Sequence, residues 1–449
     1  MPDSRKRVRR GFVMTGGGAK GLYEAGVIHA FHLTGMEFDV ITGSSIGAFN
    51  SVFFAEYLLR KKDLTPEVGR DPEQAVQAMD SLVKGFHHAW LQMPEKKIVD
   101  DSEAGPLGQL KDDLLKFKIC LPDLTRIAWW WTDPERKGYV PPPRTWPALV
   151  RLGNELTERL GGAGKLLDIL KHGGTGRLEK AIRMYLGRFG MERSLIPAEE
   201  DSRLTSIFTD PIAPLTRAHL QGGRLNPASA GEEKVRLVKP DRTLREYHQA
   251  GIDVRLTRAN YRTGRLEVSA YMKAVDFVRY MKKQAFRLKK DDPDKIPLGS
   301  FRLQLPGNPR AINAALASGR FPGVLAPYPV EDLYPRDDPE NDLLYGMLDH
   351  WLGDQTVEAR MTEAYLALPG SNPEDEKKWK KTYDDWCADQ RMREFFPQAK
   401  DLYVDGGAID NTPANSVIDA TREWADKEGV SKSKLVLDLY TIFLHREPS

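Results

Sequence analysis

Cysteine is nearly absent. The 449 residues hold two, Cys120 and Cys387, far apart in the chain. That count argues against a disulfide framework and against a structural zinc site, and makes a reducing compartment the default. Long apolar runs are missing too. None reaches the roughly 18 residues a membrane-spanning helix requires, so no such helix is expected. Net charge is close to nil: 66 basic side chains against 64 acidic leave +2. No polyanionic partner is implied, and nucleic acid is not expected. The basic opening DSRKRVRRG lacks an apolar stretch behind it, because Gly16–Gly18 interrupt one. A signal peptide is therefore not expected, and a cytoplasmic location is. The basic opening itself is read as a solvated tail rather than a contact to anionic lipid. There is no internal repeat and no low-complexity tract.

What remains is an ordinary globular composition, 41% hydrophobic and 29% charged. The length suggests two or three domains, or one α/β core with large insertions. RGFVMT (Arg10–Thr15) reads as a short buried strand, and GLYEAGVIHAFHLTG as a helix closed by Gly35. FDVITG (Phe38–Gly43) is a second strand, and Ala48–Lys62 a second helix with its bases in the last turn. Strand, loop, helix, strand, turn, helix argues for a parallel sheet with crossover helices. After Pro66 the alternation stops. Strand signals return near Gly251, with Thr263-Gly264 as a hairpin turn. A helix then ends at Gly319, and LYVD runs into Gly406-Gly407. Thr412 and Pro413 are expected to cap and open the next helix. Lys434–Leu444 reads as a last buried strand.

The loop GGGAKG can be read in two ways. Gly16, Gly18 and Gly21 fit G-x-G-x-x-G between a strand and a helix, the dinucleotide fingerprint. Asp39 lies about 20 residues on, where a ribose-binding acid would be sought, but at the start of its strand rather than the carboxyl end. A P-loop is ruled out, because no Ser or Thr follows Lys20 in the required frame. The second reading is a cradle of backbone N–H groups for a transient oxyanion.

The carboxyl end of the second strand carries Gly43-Ser44-Ser45-Ile46-Gly47, a G-x-S-x-G between strand and helix. In that setting the turn is tight, its flanks must be small, and Ser45 is pushed out as a nucleophile near the positive end of a helix. A serine needs a base. None of the nine histidines sits in an obvious strand-end loop, and only His445, after the last strand, is held open. Asp405 is the better candidate. It ends its strand, on the rim shared with Ser45 and the glycines, and two glycines after it permit close backbone approach.

Together, GGGAKG, GSSIGA and DGGAIDN resemble the patatin-like phospholipase family. TRANYRTGRLEV and ALASGRFPGVLAPYPV agree with it. The resemblance implies a three-layer α/β/α fold with a mainly parallel central sheet and large helical insertions. It implies a Ser–Asp dyad without histidine, with Ser45 as nucleophile and Asp405 as base. It further implies an oxyanion hole from Gly16, Gly17 and Gly18, with Lys20 where the family has Arg or Lys to support the anion. No cofactor or metal is needed, and the substrate would be a phospholipid or another acyl-ester lipid. The core is expected in three parts, 9–65, 250–335 and 400–449, separated by insertions at 66–249 and 336–399. A nucleotide-binding protein and a catalytically silent scaffold are the rival readings. Trp129–Trp131 with Trp146, and the basic helix Arg177–Phe189, admit a membrane contact; a buried cluster and a core-packed helix are the preferred readings.

Overall fold

The computed structural model describes residues 6–17, 21–64, 71–92, 205–216, 220–221, 224–225, 234–261, 265–290, 302–320, 327–350, 353–389 and 396–442. The tryptophan cluster, Cys120 and Arg177–Phe189 lie outside these residues.

Strand β1 (Arg7–Met14) begins exposed and ends buried. Successive side chains of a strand face opposite ways. Accordingly Phe12 and Met14 enter a large apolar cluster on one side of the sheet, while Val13 enters a small one on the other. Strand β2 (Val40–Ser44) divides likewise, Ile41 to the large cluster and Val40 to the small one. Helices α1 (Gly21–Thr34) and α2 (Ile46–Asp63) cover the large-cluster face, and α3 (Pro72–Gln92) packs on both, with Phe86 stacked on Phe53 at 3.7 Å between ring centres. Within α1 the buried residues are Gly21, Glu24, Ala25 and Ile28, whereas Leu22 is exposed. Gly35 ends α1 as expected. Its φ of 67° is left-handed. Its N–H reaches the His32 carbonyl (3.2 Å) and that of Met36 the Phe31 carbonyl (3.0 Å), a Schellman closure.

Among the described residues the main sheet has eight strands. Strand β3 (Asp253–Asn260) runs parallel to β2, which runs parallel to β1. Strand β4 (Leu266–Ser269) closes a hairpin on β3, its predicted turn lying outside the described residues, and β5 (Arg302–Gln304) runs parallel to β4. The short β6 (Tyr328–Pro329) pairs with β7 (Leu402–Asp405), and β7 pairs antiparallel with β3. Strand β8 (Leu435–Thr441) runs parallel to β1 and forms the far edge. Its sequence predicts a buried strand; as an edge strand with one neighbour it is half-exposed along its length. The helix before it, Ala414–Lys427, covers the small cluster through Val417 and Ala420, completing three layers. Its cap departs from expectation: Pro413 is the N-cap itself, and no side chain caps the helix.

The stretch 66–249, expected as an insertion, sends α3 and the helix Leu244–Gln249 into the same core. A buried carboxylate ties the latter to α2. Glu56 accepts from Arg242 Nε (2.7 Å) and Nη2 (3.0 Å), Arg60 Nε (2.9 Å) and Tyr247 Oη (3.1 Å). Burial alone would raise its carboxyl; the bonds and charges of Arg242 and Arg60 outweigh that and hold it below its ordinary value. Breaking such a pair leaves a buried charge uncompensated. Glu56→Ala is expected to lower the unfolding free energy by about 3–4 kcal/mol, read from urea unfolding. The apolar pair Glu56→Leu with Arg242→Met is expected to lose less than half of that. The stretch 336–399 holds helices Asp342–His350, Gln355–Leu366 and Glu376–Ala388, the last two joined by Trp379 stacked on Tyr365 at 4.6 Å.

Candidate active site

Strand β2 ends at Ser44 and α2 starts at Ile46, so a single residue makes the turn. Ser45 has φ 55° and ψ −128°. Among the described residues it is the only non-glycine with positive φ, a conformation that costs energy and persists only where its surroundings enforce it. The enforcement is visible. Ser45 N–H donates to Ser318 Oγ (3.0 Å), whose hydroxyl donates to the Thr257 carbonyl (2.5 Å), and the Ser45 carbonyl accepts from Ala48 N–H (3.0 Å). Both flanking glycines are required. A Cβ on Gly47 would lie 2.7 Å from the Met14 carbonyl, and one on Gly43 would strike Gly47.

Ser45 Oγ donates to Asp405 Oδ2 at 2.6 Å. The route by which Asp405 arrives differs from expectation. An all-parallel sheet would bring the ends of β2 and β7 to one rim side by side. Instead β7 is antiparallel. Residues 256–259 of β3 use one side for β4, so β2 and β7 share the other, end to end. Ser44 pairs with Thr257, and Asp405 with the next residue, Arg258. Two carboxyl ends thus meet head-on along one strand. Gly406 fits there because a Cβ would press on the β3 backbone, 2.8 Å from Arg258 N. Asp405 is 2% exposed. Burial pushes its carboxyl up to about 6, opposed by the bonds from Ser45 and from Gly407 N–H to Oδ1 (2.7 Å).

The glycine loop leaves β1 directly beside this pair. A Cβ on Gly16 would lie 2.8 Å from Ser45 Cβ. Gly16 is stitched to the Asp405 loop: its N–H donates to the Asn411 carbonyl (3.3 Å), and Asn411 Nδ2 donates back to the Gly16 carbonyl (3.2 Å). The N–H of Gly16, expected as an oxyanion donor, is thus already engaged, and its lack of a side chain is what the site uses. Gly17, the next residue, is exposed. Gly18 and Lys20 lie outside the described residues.

Behind the loop sits Glu24, to which the sequence motifs assign no role. It is fully buried in the first turn of α1. Oε1 accepts from Thr15 N–H (2.7 Å) and Oε2 from Asn50 Nδ2 (2.8 Å). Burial raises its carboxyl to about 7, against those two bonds. An acid three residues after a helix-opening glycine is the available signal, because first-turn carboxylates reach back to N–H groups ahead of the helix. Asn411 and Ser318 lie inside the motif stretches, likewise without a role assigned by sequence.

Three of the described histidines are engaged elsewhere. His32 bonds the Tyr57 hydroxyl, His87 the Ala25 carbonyl and His88 the Ala213 carbonyl. His445 lies outside the described residues. Asp39 accepts from Arg10 N–H at 2.8 Å, and so binds the backbone of β1 away from the loop. Among the described residues no three His, Cys, Asp or Glu cluster as a metal site requires, and no helix is long and apolar enough to cross a membrane.

Comparison with known proteins bears on residues 12–145, which match the patatin-like phospholipase family model. That span includes the glycine loop and Ser45 and stops short of Asp405. Curated relatives named lysophospholipase nte1 are similar to this chain over 60 residues: 45% identical in Aspergillus terreus, 43% in Aspergillus niger and 42% in Aspergillus oryzae. Each match covers 13% of this chain and 4% of the relative, so the chain spans a small part of their length. The crystal structure of VipD from Legionella pneumophila aligns over 98% of this chain and 51% of that one, at 12% identity and a TM-score of 0.26, too low to carry an argument. Residues 12–145 thus match the patatin-like phospholipase family model, and the fold around the described part of that span is a sheet layered by helices on both faces.

Proposed function

We propose that the chain is a lipid acyl hydrolase that cleaves a carboxylic ester of a phospholipid or lysophospholipid through an acyl-serine intermediate. One observation carries the reading: a serine on a strained elbow donates a 2.6 Å hydrogen bond to a buried carboxylate. Ser45 Oγ attacks the ester carbonyl carbon as its proton passes to Asp405 Oδ2. An aspartate of ordinary pKa would be a weak base at neutral pH, and a carboxyl raised to about 6 is a stronger one. Negative charge develops on the carbonyl oxygen. Gly17 and Gly18 N–H are its proposed donors, aided by the positive end of α2 and by Lys20. Collapse expels the alcohol, which takes the proton back from Asp405. Water, activated by the same carboxylate, then releases the fatty acid. The family's description and the relatives' names, phospholipase and lysophospholipase, support the substrate class. The stretches 66–249 and 336–399 are proposed to govern which lipid reaches Ser45, with peripheral contact to a membrane as one route of access.

A nucleotide-binding reading of the loop loses support from Asp39, whose carboxylate is committed to Arg10. The deciding experiment is a lipid-class hydrolysis screen with mass-spectrometric detection, comparing wild type with Ser45→Ala. Release of fatty acid by wild type alone supports the proposal; equal release by both proteins overturns it.

A further inference from the structure

Glu24 is an ionisable group with no exposure, placed where neither core packing nor the proposed chemistry requires one. Its bonds all lead to the ends of the glycine loop. Oε1 takes the N–H of Thr15, the residue before Gly16. Oε2 takes Asn50 Nδ2, and that same amide donates to the carbonyl of Gly21, the residue after Lys20. Trp90 Nε1 donates to Asn50 Oδ1 (3.1 Å), which fixes which end of the amide faces Glu24. The Trp90 ring also occupies the space a Gly21 side chain would take. Entry and exit of the loop are therefore tied to one carboxylate–amide pair. Asn50 belongs to α2, the helix that Ser45 opens, so the tie reaches the nucleophile's own element.

We propose that Glu24 is a positioning residue: with Asn50 it braces Thr15, just before the glycine loop, and Gly21, just after it, and so fixes where the chain enters and leaves the loop next to the Ser45 elbow. This rests on the acyl-hydrolase reading for its kinetic consequence, though not for the brace itself. The donor and acceptor pattern admits no simple substitute. A glutamine at position 24 can accept from Thr15, but its NH₂ then meets the NH₂ of Asn50. Turning Asn50 to relieve this would set its NH₂ against Trp90 N–H and strip Gly21 of its donor. A buried donor left facing a donor is costly enough to move the loop, and misplacement by about 1 Å can cost on the order of 100-fold in rate.

The test compares Glu24→Gln, and Glu24→Gln with Asn50→Asp, to wild type at pH 8. Activity on an acyl ester is measured per Ser45 titrated with a fluorophosphonate probe, which corrects for any unfolded fraction. Amide hydrogen exchange is followed in peptides covering the loop. Glu24→Gln is expected to lose about 100-fold in kcat with KM within about threefold, and loop peptides should exchange faster. In the double variant the new side-chain amide at position 24 can donate to the new carboxylate at position 50. That variant should recover at least about tenfold of the loss while Gly21 stays without its donor. A kcat per titrated site and loop exchange both within about twofold of wild type would overturn the proposal. So would a loss that the double variant fails to reduce. Should wild type prove inactive while Glu24→Gln still speeds loop exchange, the hydrolase reading falls and the brace stands.

Discussion

Ser45→Ala is expected to abolish acyl-ester hydrolysis, by about 10⁵-fold or more, and to eliminate fluorophosphonate labelling. The hydroxyl is the only atom removed, and the chemistry has no second route to a covalent intermediate. Melting should change little, since alanine keeps the Cβ and with it the strained φ of 55°. Ser45→Gly separates the two roles of the position. It should be equally inactive, yet glycine adopts positive φ without a steric penalty. It is therefore expected to melt higher than the alanine variant, by about 1 kcal/mol of stability. Turnover surviving in Ser45→Ala would remove the nucleophile assignment. A glycine variant no more stable than alanine would show that the elbow is relaxed rather than held under tension.

Asp405→Asn should be nearly as inactive and, above pH 6, more stable than wild type. Burial puts the folded carboxyl at about 6, against an ordinary 3.8. In the proposed mechanism the ionised form is the base, so kcat/KM of wild type should rise with pH through about 6 and level off above it. Stability runs the other way. Between the two values the unfolded chain has lost the proton that the folded chain keeps, so unfolding gains as pH rises. Above pH 6 the penalty is complete, on the order of 3 kcal/mol at about 1.4 kcal/mol per pKa unit. Asparagine never ionises and escapes it, while its amide oxygen can still accept from Gly407 N–H. The variant's advantage in unfolding free energy should be largest near pH 8 and vanish near pH 4. A pH-independent difference would mean that Asp405 does not titrate in this window. High residual activity would point back to a histidine.

Much of this architecture can be read from the chain because local rules suffice. Gly35 ends α1 as a left-handed cap, which needs no tertiary information to predict. Gly43 and Gly47 follow from the tightness of the turn around Ser45. Asp405 is legible for a partly wrong reason: on sequence alone a strand's carboxyl end implies a parallel neighbour, and β7 is antiparallel. Pairing direction depends on which strand lies alongside, and a four-residue run carries no record of that. The exposure of β8 is hidden because LVLDLYT reads as apolar whether its strand has one neighbour or two. Glu24 and Asn50 are hidden for a related reason. Each is an ordinary polar residue in a helix until the other is known to be 2.8 Å away.

The head-on meeting of β2 and β7 has a consequence for how the chain can vary. Ser45 and Asp405 are 360 residues apart in sequence, but their separation in space is set by consecutive positions on β3. The pairing register itself sets no length for the stretches that join these strands, so long as β2 and β7 both find their places on β3. A slip of one residue in β7 would be enough to lose the pair. It would carry Asp405 about 3.3 Å along the strand and turn its side chain to the opposite face. During synthesis the chain ahead of β7 lacks both Asp405 and Asn411, the residue that holds Gly16. Competence would come late, with β7 and the loop that follows it, and only in molecules whose sheet has been assembled in the correct register.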